Sequence, residues 1–349
     1  MSSTPTAAVG TGASLPARAL WFAAPRDAEL RPEDVPAPGT GEVRVQALAS
    51  AVSAGTEMLV YRGEVPEDLT LDLPTLAGSY GFPIKYGYAL AGRVLDVGPD
   101  VESLATGDPV FVHHPHQDVF LVSAETPVRL PDDLDPLLGV FVANLETALN
   151  VVHDTPLRLG ETALVLGQGV IGQLLTRLLA LSGVGVLAVD PLEKRRLLAL
   201  AGGAYAAFEP DEDLGALVGE ATAGRGPDVV VEASGSGVAL QAAIESVADE
   251  GTVVVASWYG TKPVSLALGG HFHRGRVRLR SSQVGGLNPE LCARWDRTRR
   301  METVIGLLRR LRLEELVSHR IAFGRAPEAY GLLDERPGEA VQVVLEYGV

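Results

Sequence analysis

The first part of the chain alternates apolar and polar positions in short runs. Residues 42–48 and 90–97 show this pattern, and similar runs lie at 18–22, 110–112 and 119–122. Because successive side chains of a strand point to opposite faces, the alternation predicts half-buried strands. Glycine and proline residues between the runs predict tight turns. Closely spaced short strands of this kind predict a partly closed β-barrel.

A different pattern begins near residue 134. Residues 137–152 are largely apolar with polar residues at intervals, which predicts a helix that bridges two domains. Beyond Gly160, strand and helix patterns alternate, and the valine-rich runs 228–233 and 251–256 are typical of strands buried on both faces. This alternation predicts a doubly wound parallel sheet and hence an α/β fold. The other predicted strands are 162–166 and 184–189, and the predicted helices are 171–182, 194–201, 213–221 and 239–247.

The last part of the chain predicts a strand at 277–282, helices at 301–312 and 326–333, and a terminal strand at 340–346. The terminal strand cannot easily extend the parallel sheet, so we expect it to complete the barrel and the parallel-sheet domain to be an insertion. The predicted boundaries are a disordered tail over 1–16, the first part of the barrel domain over 17–150, the parallel-sheet domain over 151–285 and the return segment over 286–349.

A glycine loop, residues 167–172, lies between the first predicted strand and helix of the parallel sheet. Gly167, Gly169 and Gly172 have the G-x-G-x-x-G spacing, and the next strand ends on Asp190. Strand, glycines, helix, second strand and terminal acid in this order form the dinucleotide-binding fingerprint. The glycines permit a tight turn, close approach to a pyrophosphate and close packing of helix on strand, and the helix N-terminus offers free N–H groups. An ordinary crossover with glycines for packing is the alternative.

The acid at the end of the second strand predicts NAD as the cofactor. Asp190 is expected to accept hydrogen bonds from the adenosine ribose. A 2′-phosphate would face this carboxylate, at a cost of roughly 4 kcal/mol for a pair about 4 Å apart. The basic cluster 194–196 could instead pair with a phosphate and relax the selectivity. The predicted contacts are Gly167, Gln168, Gly169, Val170, Ile171, Gly172, Asp190 and the later turns Ala233, Ser234, Gly235, Ser257, Trp258 and Tyr259.

The amino-acid composition of the chain restricts which other partners and which cellular compartment we expect for it. The net charge of −15 over 349 residues argues against a nucleic acid partner. The single cysteine, Cys292, excludes an internal disulfide and a multi-cysteine zinc site, which fits a cytoplasmic protein. No secretory signal pattern and no run of eighteen apolar residues occur, so we expect no membrane span.

Several stretches resemble the medium-chain dehydrogenase/reductase superfamily. Residues 53–57 are similar to its Cys-Gly-Ser/Thr-Asp turn, 83–94 to its Gly-His-Glu-x-x-Gly-x-Val signature, and 107–110 to its Gly-Asp-x-Val. Residues 318–329 resemble its late His-Arg and Glu-Ala segment. The resemblance implies a GroES-like catalytic barrel split by a Rossmann domain and hydride transfer in the cleft between them. It also implies that Arg195 contacts the cofactor ribose, although a solvated helix charge is the alternative, and a homodimer formed near residues 277–282.

The chain departs from the family at the positions that bind zinc. Ala54 replaces the ligand cysteine, Tyr88 the ligand histidine and Ala89 the adjacent glutamate, while Ala143 aligns near a third ligand. Zinc needs three or four converging S, N or O ligands, so the chain is predicted to be zinc-independent. Four stretches together resemble the branch that includes the bacteriochlorophyllide hydroxyethyl dehydrogenase. These stretches are 53–57, 86–88, 113–117 and 144–150.

Without zinc, side chains must control the charge and the proton of the substrate oxygen. The resemblance places Thr56 where family members relay the alcohol proton, although it could simply stabilise a turn. Tyr88 could donate a phenolic hydrogen bond to the substrate, or merely fill the space that zinc leaves. Glu57 is a candidate base or orienting carboxylate, and an ion pair with Arg93 is its ordinary alternative.

Three histidines and one asparagine complete the candidate site. His113, His114 and His116 follow a strand and could relay protons, and His116 is the predicted catalytic member. In an extended segment, His114 and His116 would face one way and His113 the other. A metal held by two of them with Glu57 is an alternative. Asn144, on the bridging helix, is predicted to face the cleft.

These residues predict a zinc-independent, NAD-dependent enzyme that transfers hydride between nicotinamide and a secondary alcohol or ketone. A bulky cyclic or polyol-type small molecule is the expected substrate, by analogy with the family. One alternative is a zinc-less quinone or enoyl reductase, which usually prefers NADPH. Another is a non-catalytic NAD(H)-binding redox sensor, which would bind nucleotide without turnover.

Overall fold

A computed structural model describes residues 13–71, 75, 76, 78–211 and 213–348. The N-terminal domain is built on two sheets. Its strands are β1 (Leu15–Ala24), β2 (Asp27–Val35), β3 (Glu42–Val52), β4 (Ile84–Lys85), β5 (Leu90–Val97), β6 (Pro109–Val112), β7 (Val119–Ser123) and β8 (Val128–Arg129), with helix α1 (Thr56–Arg62) after β3. Strands β3, β5 and β6 pair antiparallel, β7 pairs with β3, and β1 pairs with β2 and β4. Their inward side chains form one hydrophobic core, as the alternation predicts.

Two helices lead from the barrel towards the second domain. They are α2 (Pro136–Gly139) and α3 (Val142–Asp154), so the single helix predicted over 137–152 is wrong in this detail. The Phe141 N–H donates to the carbonyl of Leu138 at 3.1 Å, which marks a tight turn between the helices. Both helices have buried residues, so their apolar pattern does not reveal the break. The boundary predicted at residue 150 falls inside α3.

The second domain alternates strand and helix. Its elements are β9 (Thr162–Leu166), α4 (Val170–Leu181), β10 (Gly185–Val189), α5 (Glu193–Ala201), β11 (Ala206–Phe208), α6 (Leu214–Ala221), β12 (Val229–Glu232), α7 (Gly237–Ser246), β13 (Thr252–Val255), α8 (His271–Arg274) and β14 (Arg278–Ser281). The strands are all parallel, in the order β11-β10-β9-β12-β13-β14. The order reverses between β9 and β12, where ligands bind in sheets of this kind. The predicted α/β fold is confirmed.

The chain then returns to the barrel. The return segment contains α9 (Arg297–Leu307), β15 (Val317–Ala322), α10 (Ala326–Glu335) and β16 (Gln342–Glu346). Strand β16 pairs antiparallel with β3, and Val343 lies opposite Val52. It also pairs parallel with β15. The terminal strand therefore joins the N-terminal sheet, as predicted, and the parallel sheet is inserted between the two parts.

The sequence patterns do not predict several of the helices and strands. Strands β2 and β15, helix α1 and the very short strands β4 and β8 are not predicted, since they are short or carry many polar residues. Strand β1 begins at Leu15, inside the predicted disordered tail, because Leu15 pairs with Val35 of β2. The rest of that prediction, residues 1–12, lies outside the described residues. None of the helices in the described ranges is long and apolar enough to cross a membrane.

Candidate functional site

The glycine loop has the geometry that a dinucleotide requires. A Cβ on Gly172 would lie 1.9 Å from the carbonyl oxygen of Gly167, so helix and loop can pack only with glycine there. Gly167 has a φ of +90°, and a Cβ would lie 2.8 Å from the Ser234 backbone. Gly169, at the start of α4, faces open space. The loop therefore leaves room for a pyrophosphate at the first N–H groups of α4, which include those of Val170 and Ile171.

Asp190 fixes this loop to the end of β10. Its two carboxylate oxygens accept hydrogen bonds from the backbone N–H groups of Gln168, at 2.8 Å, and Leu192, at 2.9 Å. The Gln168 side chain is buried and bonds to Val165 and Thr176. Gln168 therefore anchors the loop, and Asp190 keeps further lone pairs for a ribose.

Two arginines of the basic cluster beside Asp190 make contacts within the protein. Nη1 of Arg195 lies 3.6 Å from the Asp190 carboxylate. Its Nη2 donates to the carbonyl oxygens of Pro337 and Ala340 in the return segment. Arg196 donates to the Asp190 carbonyl. Among the described residues, Nε of Arg195 is buried without a hydrogen-bond partner.

The turns after β12 and β13 lie on the same edge of the sheet as the glycine loop. Glu232, fully buried at the end of β12, accepts hydrogen bonds from the backbone N–H groups of Ser234 (2.6 Å) and Gly235 (2.8 Å). It also accepts one from the Tyr259 hydroxyl at 2.9 Å. Burial, together with Glu232, raises the pKa of Tyr259. Glu232 was not predicted as a site residue, although the polar end of its valine run was a signal.

The remaining predicted residues of these turns surround this carboxylate. Ser257 accepts a hydrogen bond from the Gly235 N–H at 2.9 Å, and Ala233 is half-buried. Trp258 is 40% exposed, and its ring lies 6.0 Å from that of Tyr80 in the barrel domain. The Tyr80, Tyr86 and Tyr88 rings follow one another at 5.6 and 6.3 Å. A row of aromatic rings thus connects the turn after β13 with Tyr88.

Tyr88 and Thr56 come together at the start of α1. Burial, and secondly the Glu57 carboxylate, raises the pKa of Tyr88 to about 12, and interaction with the Ser53 and Thr56 hydroxyls lowers it in part. Tyr88 therefore remains a neutral phenol near pH 7 and can donate a hydrogen bond. Both Tyr88 and Thr56 are half-buried, so they can face a ligand.

Glu57 lies beneath this pair in a buried network. It is fully buried and accepts hydrogen bonds from the Ser53 N–H at 3.0 Å and the Tyr330 hydroxyl at 2.7 Å. Its Oε2 lies 3.0 Å from Nε2 of His116. The alternative of an ion pair with Arg93 is wrong, because Arg93 is exposed and donates to the Gly107 carbonyl. The network holds Glu57 where it can orient α1 but cannot touch a substrate.

The three histidines lie in different surroundings. His116 is fully buried, and its Nδ1 lies 2.7 Å from the Ser50 hydroxyl. The His114 ring stacks on Phe120 at 3.8 Å, and burial lowers the pKa of His114 to about 3. His113 alone of the three lines the large cavity described below. His114 and His116 therefore belong to the interior of the barrel domain.

Asn144 connects α3 with the return segment. Its Nδ2 donates to Oε1 of Gln342 at 3.0 Å, and Gln342 donates to the carbonyl oxygens of Val52 and Val343. Asn144 is 5% exposed. This hydrogen bond links Asn144 on α3 to Gln342 on β16 of the return segment.

A catalytic zinc does not fit the residues at the family's ligand positions. Ala54, Ala89 and Ala143 have no donor atoms, and Tyr88 supplies a phenol that remains protonated. No group of three or more His, Cys, Asp or Glu that could hold a metal exists within the described ranges. Positions 54, 88, 89 and 143 therefore supply a single oxygen donor, fewer than the three or four donors that zinc needs.

A cavity of about 1330 Å³ is lined by residues of the barrel domain, of α3, of the loop after β14 and of α9. His113, Glu125, Glu146 and residues 127–129 line one side. Residues 283–285, which follow β14, and the helix α9 line the other. Residues 283–285 follow β14, which is the outermost strand of the parallel sheet on this side.

Comparison with known proteins agrees with this arrangement. Residues 170–298 match the model of the family described as zinc-binding dehydrogenase. The chain is 28% identical over 347 residues to the D-guloside 3-dehydrogenase of Escherichia coli K12, covering 93% of this chain and 98% of that protein. The chain shares the fold of solved alcohol dehydrogenase structures, a GroES-like barrel domain with a Rossmann domain. These matches support an alcohol dehydrogenase of the medium-chain type.

Solved structures share the same fold. The 2R,3R-butanediol dehydrogenase of Bacillus subtilis superposes with a TM-score of 0.79 at 22% identity, covering 95% of this chain and 99% of that one. A structure described as a zinc-binding dehydrogenase from Sinorhizobium meliloti 1021, bound to NADP, superposes with a TM-score of 0.78 at 21% identity, covering 95% of this chain and 99% of that one. The fold therefore accommodates a nicotinamide cofactor.

Proposed function

We propose that this chain is an NAD-dependent dehydrogenase that transfers hydride between nicotinamide and a secondary alcohol or ketone without a bound zinc. The observation that carries this proposal is the combination of an intact dinucleotide loop with a phenol and alanines at the family's zinc-ligand positions. The substrate is a bulky cyclic or polyol-type molecule, which the relationship to a guloside dehydrogenase supports. Membership of the bacteriochlorophyllide dehydrogenase branch remains a prediction.

The protein's own groups supply polarisation and a proton route. When bound, the cofactor supplies or accepts the hydride. The Tyr88 hydroxyl donates a hydrogen bond to the substrate oxygen and so stabilises the negative charge that develops there. The Thr56 hydroxyl, which interacts with Tyr88, passes the alcohol proton towards solvent. Glu57 and His116 are positioning residues that hold the start of α1.

NAD is the proposed cofactor because Asp190 lies at the ribose end of the site and the neighbouring arginines are engaged. A 2′-phosphate would meet the carboxylate, at a cost of roughly 4 kcal/mol. Nη2 of Arg195 and Nη1 of Arg196 already donate to protein carbonyl oxygens, which limits the compensation that these groups can offer.

A cofactor and turnover assay tests this function. Purified protein is titrated with NADH and NADPH, and then assayed with NAD and NADP against a panel of cyclic secondary alcohols and polyols. We expect tighter binding of NADH and NAD-dependent oxidation of at least one panel member. Comparable catalytic efficiency with both cofactors would overturn the NAD assignment. Nucleotide binding without any turnover would favour the redox-sensor alternative instead.

A further inference from the structure

Glu232 is a fully buried carboxylate at the carboxyl end of β12. Its Oε1 accepts hydrogen bonds from the Ser234 N–H at 2.6 Å, the Ser234 hydroxyl at 2.7 Å and the Gly235 N–H at 2.8 Å. Its Oε2 accepts one from the Tyr259 hydroxyl at 2.9 Å. Burying a carboxylate costs free energy unless donors surround it in this way. These hydrogen bonds therefore fix the turn that follows β12.

The turn after β12 packs directly on the glycine loop. A Cβ on Gly167 would lie 2.8 Å from the Cα of Ser234. Gly235 has a φ of +69°, and its N–H is shared between Glu232 and the Ser257 hydroxyl, which lies 2.9 Å away. Because the two backbones are in such close contact, a shift of this turn would displace the loop that is expected to hold the pyrophosphate.

Tyr259 joins Glu232 to the turn after β13. Burial, and secondly Glu232, raises the pKa of Tyr259 above its ordinary value of 10.0, so the hydroxyl keeps its proton near pH 7. The hydroxyl also lies 3.3 Å from the carbonyl oxygen of Ser236. A hydroxyl has one proton to donate, and the shorter contact is the one with Glu232. The two turns are therefore linked through one carboxylate.

The residues that follow Tyr259 contact the barrel domain. Gly260 has a φ of +60°, and a Cβ there would lie 2.4 Å from the carbonyl oxygen of Glu64. The Thr261 N–H donates to the same oxygen at 3.1 Å. Nζ of Lys262 lies 3.5 Å from the Glu64 carboxylate. The position of Tyr259 therefore also affects where the barrel domain meets the parallel sheet.

We propose that Glu232 and Tyr259 form a positioning pair that keeps the turns after β12 and β13 in register with the glycine loop and so increases the affinity for the nicotinamide cofactor. The pair acts through Ser234 and Gly235, and neither of its side chains needs to touch the cofactor. This inference rests on the proposed function, because the cofactor is the ligand that the pair positions.

Conservative variants and a matched control test the pair. Tyr259→Phe removes only the hydroxyl, Glu232→Gln replaces one acceptor oxygen, and the double variant completes a mutant cycle. Asp228→Asn is the control, because Asp228 lies at the other end of β12 and accepts a hydrogen bond from the Thr162 N–H at 2.8 Å.

NADH affinity, measured by fluorescence titration, is the first measurement. We expect each pair variant to weaken NADH binding by about tenfold, because each breaks the same charge-assisted hydrogen bond. The double variant should lose no more than the more affected single variant, and the control should bind NADH like the wild type. Tyr259→Phe should keep the melting temperature of the wild type, so it decides the matter alone if Glu232→Gln does not fold.

Three results would overturn the inference. The first is undiminished NADH affinity in Tyr259→Phe, and the second is a double variant whose loss is the sum of the two single losses. The third is an equal loss in Asp228→Asn, which would mean that affinity follows the general stability of the strand.

Hydrogen exchange of the protein without nucleotide separates this inference from the proposed function. Tyr259→Phe should speed the exchange of the amides at 234 and 235 by about fivefold, because the turn loses part of its support, while exchange at 163–165 in β9 stays the same. Unchanged exchange at 234 and 235 would refute the pair. If the wild type binds NADH but oxidises no alcohol, the proposed function fails, and faster exchange with weaker NADH binding in Tyr259→Phe still supports the pair.

Discussion

At the scale of single residues, the proposed site has the phenol of Tyr88 where zinc members of the resembling family have a ligand histidine. Burial beside Glu57 raises the pKa of Tyr88 to about 12, and the hydroxyls of Ser53 and Thr56 limit the increase. A phenol with this pKa remains a hydrogen-bond donor across the neutral range. In the proposed mechanism this property lets Tyr88 polarise a substrate oxygen, with weaker charge stabilisation than a metal ion would supply.

Removing either hydroxyl is expected to slow the chemical step. Tyr88→Phe and Thr56→Ala should each lower kcat by about tenfold or more, because each removes a hydrogen bond made to the reacting oxygen or its proton. The dissociation constant for NADH, measured by fluorescence titration, should stay the same, since the glycine loop is untouched. Full activity in both variants would show that the chemistry lies elsewhere.

Some residue roles could not be read from the sequence. Glu57 and His116 were predicted as catalytic because carboxylates and histidines often move protons. Both are fully buried, and their bonds to Tyr330 and Ser50 depend on contacts between residues far apart in the chain. The His113–Glu146–Arg300 cluster also joins three distant segments. Patterns along the sequence carry no information about such contacts between distant segments.

At the scale of elements, the glycine loop and its helix are the best predicted part of the molecule. Residues 162–166 form β9 as predicted, and α4 begins at Val170, one residue before the predicted start. The spacing of residues along the sequence was sufficient to predict this unit, because its strand, turn and helix follow one another directly in the chain. Strand β15 was missed because its pairing with β16 is set by the return of the chain.

Two glycines of the loop allow a matched comparison. Gly172→Ala should lower both the thermal stability and the NADH affinity, because its Cβ would lie 1.9 Å from the Gly167 carbonyl oxygen. Gly169→Ala should leave the melting temperature unchanged, since its Cβ would point into open space. It should still weaken NADH binding by about tenfold, because that space is where the pyrophosphate is expected.

Calorimetric melting and NADH titration of both variants distinguish these effects. Undiminished NADH affinity in Gly169→Ala would mean that the cofactor does not approach the loop. An equally large loss of stability in both variants would mean that the loop serves packing alone.

At the scale of the whole molecule, buried tyrosines connect the barrel core with the return segment. Burial is the largest cause that raises the pKa of Tyr86, Tyr330 and Tyr347 above the ordinary value of 10.0. Tyr330 and Tyr347 belong to the return segment, and they bond to Glu57 and Ser50 of the N-terminal part. Hydrogen bonds of protonated tyrosine side chains therefore help to join the two parts of the split barrel domain.

This arrangement predicts a loss of stability at alkaline pH. Above about pH 10 the unfolded chain releases tyrosine protons that the native protein retains, so the free energy of unfolding falls as the pH rises. Urea unfolding at pH 8, 9, 10 and about 11 measures the trend. Tyr330→Phe should weaken the dependence on pH. A free energy of unfolding that is constant or rises over this range would contradict the prediction.

The central claim is that this protein transfers hydride without zinc. The most direct test measures the metal content of the purified protein and its NAD-dependent turnover before and after dialysis against a chelator. We predict a zinc content far below one per chain and unchanged turnover after dialysis, because Ala54, Tyr88 and Ala89 offer no zinc-ligand set. Stoichiometric zinc, with activity that is lost on chelation and restored by added zinc, would contradict the account.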